Sequence, residues 1–185
     1  MFIQTEETPN PAALKFLPGR AVLEIGVADF TTREAAQRSP LARVLFEIDG
    51  VAGVFLGSDF ITITKAGDKT WQVLKPMVLG AVMDHFTSGA AVMETADTED
   101  EEINDEGVDG AIVSQIKELI DTRVRPAVAQ DGGDIIYKGF KNGTVYLNLR
   151  GSCAGCPSST ATLKMGIENM LRHYVPEVLQ VEAVA

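Results

Sequence analysis

Cys153 and Cys156 are the only two cysteines in this chain of 185 residues. Three positions apart, they form a chelate. They stand in the segment Gly-Ser-Cys-Ala-Gly-Cys-Pro-Ser-Ser, residues 151–159. The β-rich run Thr144 to Leu149 leads into this loop and an amphipathic helix leads out. Pro157 suits the first helical position, where a missing N–H costs nothing. Cys156 then falls at the N-cap, near the positive end of the helix dipole, which favours thiolate over thiol. Gly151 and Gly155 let backbone N–H groups come close to sulfur. The loop reads as polar and exposed.

Three chemistries compete for such a pair. Disulfide exchange needs only the two thiols. A structural zinc site normally needs four ligands, and an iron–sulfur cluster usually takes four cysteines. Two inert, reduced thiols are the plain alternative, but inert cysteines tend to sit in apolar runs rather than in a Gly/Ser/Pro loop. The two histidines do not complete a zinc set. His85 is distant in sequence, and His173 falls near the far end of the helix from Pro157, roughly 25 Å from the loop. Both are read as structural or solvated. A metal reading therefore needs two chains, each giving Cys153 and Cys156 across a twofold axis. Asp131-Gly132-Gly133-Asp134 offers paired carboxylates for a divalent ion, but acids in a turn are read as backbone caps.

The elements that must position the loop follow from the pattern around it. Asp109 to about Arg125 is predicted helical, with Ile112, Ile116, Leu119, Ile120 and Val124 at helical spacing, and Pro126 should end or kink it. Strands follow at Ile135–Phe140 and Thr144–Leu149, joined by Asn142-Gly143, a strong hairpin signal. The helix from Pro157 to about Tyr174 buries Leu163, Ile167, Met170, Leu171 and Tyr174. Lys164, Glu168 and Arg172 form its solvated face. Pro176 ends it, and Val178–Val184 is the last strand.

The N-terminal part is built differently. Ala13–Leu17 and Ala21–Gly26 read as strands around a Pro18-Gly19 turn. Ser39 caps a helix with Leu41, Val44, Leu45 and Ile48 on one face, and Asp49-Gly50 closes it. Val51–Leu56 and Phe60–Lys65 form a hairpin, the second strand turning Ile61 and Ile63 inward and Thr62 and Thr64 outward. A helix ending near Phe86 lines up Leu74, Val78, Val82 and Phe86. Pro76 either kinks it after a start at Trp71 or moves the start to Lys75, and Trp71 is read as core. This part has no cysteine and no paired-carboxylate or phosphate-loop signature, which suggests a protein-contact module.

Charge separates the two parts. Net charge is -10, with 45% hydrophobic and 23% charged residues, enough to bury a sizeable core. Residues 1–93 carry 8 basic and 10 acidic side chains, and residues 109–185 carry 8 of each. The stretch 94–108 has 8 acids and no base, so it reads as an extended, self-repelling tether. The expected fold class is α+β: two small domains, 1–93 and 109–185, joined by the acidic linker, the second of order α-β-β-α-β. No basic patch points to nucleic acid, and no apolar run is long enough to span a membrane. Met1 to Lys15 has Glu6 and Glu7 and no arginine, so it reads as neither signal nor transit peptide.

This order, with Asp131-Gly132-Gly133-Asp134, the run Leu149 to Ser159, Thr162 and Gly166-Ile167-Glu168, resembles the Nfu family of iron–sulfur scaffold and carrier proteins. Thr8-Pro9-Asn10-Pro11, Leu14-Lys15-Phe16, Ser39-Pro40-Leu41-Ala42 and Val54-Phe55 resemble that family's N-terminal domain. The resemblance covers nearly all of the chain except the linker. It implies that Cys153 and Cys156 ligate a [4Fe–4S] cluster shared between two chains. It also implies a homodimer when cluster-bound, loading by upstream cluster-assembly proteins, delivery to apo iron–sulfur client proteins, and no enzymatic turnover. The N-terminal domain looks close to the mitochondrial-type form; without a presequence, the chain reads as bacterial and cytoplasmic. The alternative is a thiol–disulfide oxidoreductase. Against it, no aromatic flanks the loop, and the preceding strand is assigned to a hairpin rather than a βαβ unit.

Overall fold

The computed structural model describes residues 1–94, 110–154 and 157–184, without the side chains of 157–159. Linker residues 95–108, Asp109, Gly155 and Cys156 therefore lie outside the described residues, and so do the tether and N-cap expectations. The chain divides into two compact units, Met1–Thr98 and Glu99–Ala185. Each has its own sheet, helices and apolar core, an α+β architecture.

Unit 1 contains β1 (Gln4–Glu7), β2 (Ala13–Leu17), β3 (Ala28–Phe30), α1 (Pro40–Phe46), β4 (Val51–Leu56), β5 (Ile61–Lys65) and α2 (Trp71–Ser88). The sheet is antiparallel, in the order β1-β2-β5-β4-β3. Ala21–Gly26 is not a strand. Val22 and Leu23 both donate to the Ser58 carbonyl, Gly26 takes φ 75°, and the edge strand forms beyond it as β3. Ser39 caps α1 as expected, its Oγ accepting from the Ala42 N–H at 3.1 Å. On α1 the inward face is Leu41, Ala42, Leu45 and Phe46, while Val44 points out at 39% exposure. Thr62, expected outward, is buried, because its neighbours Lys15 and Phe55 on that face of the sheet meet the Phe60 ring. Helix α2 starts at Trp71 and runs through Pro76, with Leu74, Val78, Val82 and Phe86 buried. Trp71 is half-buried against the core, and its indole N–H donates to the Pro11 carbonyl.

Unit 2 contains α3 (Gly110–Leu119), α4 (Arg125–Gln130), β6 (Gly133–Lys141), β7 (Thr144–Gly151), α5 (Pro157–Tyr174) and β8 (Gln180–Val184). Pro126 does not stop the first helix. Residues Ile120–Val124 widen into a π turn, the Arg125 N–H bonds to the Ile120 carbonyl five residues back, and α4 continues. The wider turn accommodates the proline ring and its missing donor. Asn142 (φ 52°) and Gly143 (φ 78°) make the tight β6–β7 turn that the sequence predicts.

Two expectations about the last third need correction. Strand β8 pairs parallel to β7, so β7–α5–β8 is a strand–helix–strand crossover as well as half of a hairpin. The topological argument against an oxidoreductase therefore falls. On α5, Lys164 reaches Glu182 at 3.2 Å and Glu168 accepts the Val181 N–H at 3.1 Å. These side chains clamp β8 rather than forming a merely solvated face. Tyr174, expected in the core, is 41% exposed beneath the Arg123 guanidinium.

Candidate metal centre

Three chain segments build the seat of Cys153. The end of β7 delivers the loop, since Gly133 pairs with Gly151 and Asp134 with Arg150 at the last rungs of the hairpin. Ser152, 2% exposed, ties the loop to the Asp-Gly-Gly-Asp turn. Its N–H donates to the Gly132 carbonyl at 3.2 Å, and its hydroxyl donates to the Asp131 carbonyl. From the first turn of α5, the Thr160 hydroxyl donates to the Cys153 carbonyl at 3.1 Å.

Cys153 is not exposed, as the loop composition suggests, but 7% accessible and part of the apolar core of unit 2. Burial, above all, pushes its thiol up to about 11; a hydrogen bond with Ser152 opposes this, and the charges of Asp131 and Asp134 add to it. Near neutral pH the free thiol is protonated. Cys156, the other predicted ligand, lies outside the described residues.

Gly133 belongs to the site, although its sequence position signals only a turn. A Cβ there would lie 2.5 Å from Cys153 Sγ and 2.8 Å from the Arg150 carbonyl oxygen. Only glycine leaves the sulfur its place. Gly132, at φ 78°, makes the preceding bend.

Asp134 of the Asp-Gly-Gly-Asp turn is an ion-pair partner rather than the backbone cap expected. Asp134 is 4% exposed and takes a two-pronged ion pair from Arg125, Nε to Oδ1 at 2.9 Å and Nη2 to Oδ2 at 2.8 Å. Arg125 also reaches Asp121 at 3.4 Å, and these partners hold its pKa above the usual arginine range. The pair fastens α4 to the first rungs of β6, beside Gly133. Its sequence signal was an arginine and an aspartate flanking a glycine pair, which is too common to single out. Among the described residues, no group of three or more His, Cys, Asp or Glu side chains is arranged to hold a metal ion.

The remaining candidates lie elsewhere. His85 is buried in unit 1, and His173 stacks edge-on against Tyr174 in the last turn of α5. Beside the cysteine loop, Arg150 is half-buried and its Nε donates to Asn148 Oδ1 at 3.2 Å. Among the described residues no helix is long and apolar enough to cross a membrane.

Comparison with known families agrees with this architecture. Residues 3–89 match the family model described as scaffold protein Nfu/NifU N terminal, and residues 116–182 match the NifU-like domain. The chain belongs to the Nfu family of iron–sulfur scaffold proteins. It is 55% identical over 185 residues to the human NFU1 iron-sulfur cluster scaffold homolog, mitochondrial, covering 100% of this chain and 72% of that one. It is 52% identical over 193 residues to NifU-like protein 4, mitochondrial, of Arabidopsis thaliana, covering 98% of this chain and 65% of that one. A NifU-like protein from Saccharomyces cerevisiae, solved in solution, is 27% identical with a TM-score of 0.43, covering 52% of this chain and 87% of that one.

Proposed function

We propose that the chain is an iron–sulfur cluster scaffold and carrier, in which Cys153 and Cys156 of two subunits hold one [4Fe–4S] cluster and pass it to apo-proteins. The observation that carries this reading is the seat of Cys153, a buried sulfur with its own glycine and serine built around it at the end of β7. Two cysteines per chain supply half of the four thiolates a cluster usually takes, so a second subunit completes the set. The match to the NifU-like domain and to iron–sulfur cluster scaffold relatives favours this over the oxidoreductase reading. A cysteine ligates metal as thiolate, so loading at Cys153 releases a proton. Release proceeds by exchange: a client thiolate takes each coordination position, and the departing cysteine recovers a proton. No turnover chemistry is assigned.

Residues 109–185 are assigned to cluster binding, 1–93 to docking of clients or of upstream assembly proteins, and 94–108 to the connection between them. Only two, closely spaced cysteines fit a reducing compartment, and the bacterial cytoplasm is the setting we assign. Anaerobic reconstitution followed by iron, sulfide and mass measurement on one sample tests the proposal. A brown dimer with one cluster per two chains, reverting toward monomer on chelation, is expected. A holo monomer with a full cluster and no added thiol would overturn it.

A further inference from the structure

Helices α1 and α2 of unit 1 leave a groove of about 900 Å³ between them, lined by Val44, Ile48, Met77, Gly80, Ala81 and His85 among others. Its apolar walls are open to solvent, with Val44 39% and Met77 48% exposed. Val73, 61% exposed, extends the α2 row at i, i+4, i+7 and i+8 through Met77, Gly80 and Ala81. That spacing is the one a second helix presents in return.

Three features go beyond an ordinary apolar surface. Gly80 sits inside an 18-residue helix, where glycine costs about 1 kcal/mol relative to alanine. Yet a Cβ there would meet nothing within 4 Å, so the fold itself does not require the glycine. It leaves a notch in the groove floor. His85, 7% exposed, has a buried Nε2 with no hydrogen-bond partner. Burial lowers its pKa, opposed by backbone hydrogen bonding at Ala91 and Ala90. The charges at the rim are one-sided. Arg43 is engaged by Glu94 at 2.8 Å, while Glu47 and Asp84, both exposed, have no cationic partner among the described residues.

We propose that this groove docks an amphipathic helix of a partner protein, its apolar face over Gly80 and Met77 and its lysines or arginines against Glu47 and Asp84. This rests on the reading of unit 1 as the docking module, and it is independent of the cysteine assignment. Met77, a flexible side chain, suits a surface that accepts more than one helix.

The test uses the full apo chain and a fluorescent 18-residue helical peptide with leucines at i, i+3, i+4 and i+7 flanked by lysines, read by anisotropy. The same peptide with glutamates in place of lysines is the charge control. The lysine peptide should bind and the glutamate peptide should not. Gly80→Leu fills the notch, leaves the acidic linker unaltered and should weaken binding about tenfold or more. The same variant should load the cluster as the parent does. Glu47→Lys with Asp84→Lys should reverse the charge preference. Three results overturn the proposal: neither peptide binds; Gly80→Leu retains full affinity with unchanged circular dichroism; or the apo chain is a dimer that Gly80→Leu dissociates, which makes the occupant a second copy. Each can occur while the full chain still delivers clusters faster than residues 109–185 alone, so failure of the groove is distinguishable from failure of the docking role.

Discussion

Unit 1 fills its core with aliphatic and aromatic side chains and keeps its candidate binding features on the surface, between α1 and α2. Unit 2 places a cysteine of its candidate site inside the core itself, against Gly133 and the ends of β6 and β7. The difference is one of coupling. In unit 1 the groove can be altered without disturbing what holds the sheet together. In unit 2 the residues that seat the sulfur also close the hairpin and fasten α4, so function and stability change together. An exposed cysteine loop would have left them independent.

Substitutions of the cysteines test this coupling most severely. Cys153→Ser and Cys156→Ser should each abolish stable cluster retention, measured as iron per chain after desalting, because each removes two of four thiolates from a dimer. Cys153→Ser should also lower the melting temperature of the apo protein, since it places a hydroxyl in an apolar site at about 1–3 kcal/mol. An unchanged apo melting temperature would return Cys153 to the exposed loop that its composition suggests.

Gly133→Ala comes next. Its Cβ collides with backbone as well as sulfur, so a loss of about 2–3 kcal/mol is expected by denaturant titration, together with lower cluster occupancy. Arg125→Met should follow at about 2 kcal/mol, reduced from the fully buried case because the arginine is 38% exposed. Replacing Asp134 by leucine in the same chain should recover much of that loss, because the damage comes from the buried carboxylate left unpaired.

Smaller still, at pH 8, is the effect on stability of titrating the apo thiol. A folded-state pKa near 11 lies above the unfolded value, so the contribution to stability is full below the unfolded pKa and is lost as pH rises toward 11. At pH 8, Cys153 in the native apo chain should alkylate at least about tenfold more slowly than in the urea-unfolded chain, as followed by peptide mass mapping. Equal rates would break the contrast between the units. The smallest effect has the opposite sign. Gly80→Leu in unit 1 should leave stability unchanged or raise it by up to about 1 kcal/mol, because it improves helix propensity and meets no neighbour.

Much of this architecture is local physics and is legible in the chain. Asn142-Gly143 dictates its turn because few residue pairs tolerate two positive φ angles in succession. Ser39-Pro40 starts α1 through a cap only three residues long, and Leu74, Val78, Val82 and Phe86 declare the buried face of α2 by their period. The cysteine pair by type and spacing leaves several chemistries open, while the family resemblance carried by the residues around it agrees with the family matches. What stayed hidden depends on partners far along the chain. Thr62 is buried because Lys15 and Phe55 flank it from neighbouring strands, and Lys164 and Glu168 leave the solvated class because β8 returns beside β7. Cys153 is buried because Gly133, twenty positions earlier, has no side chain to displace it. Residue type and spacing set what each segment prefers; only packing of distant segments decides which groups lose their water, and burial in turn sets the protonation of that sulfur.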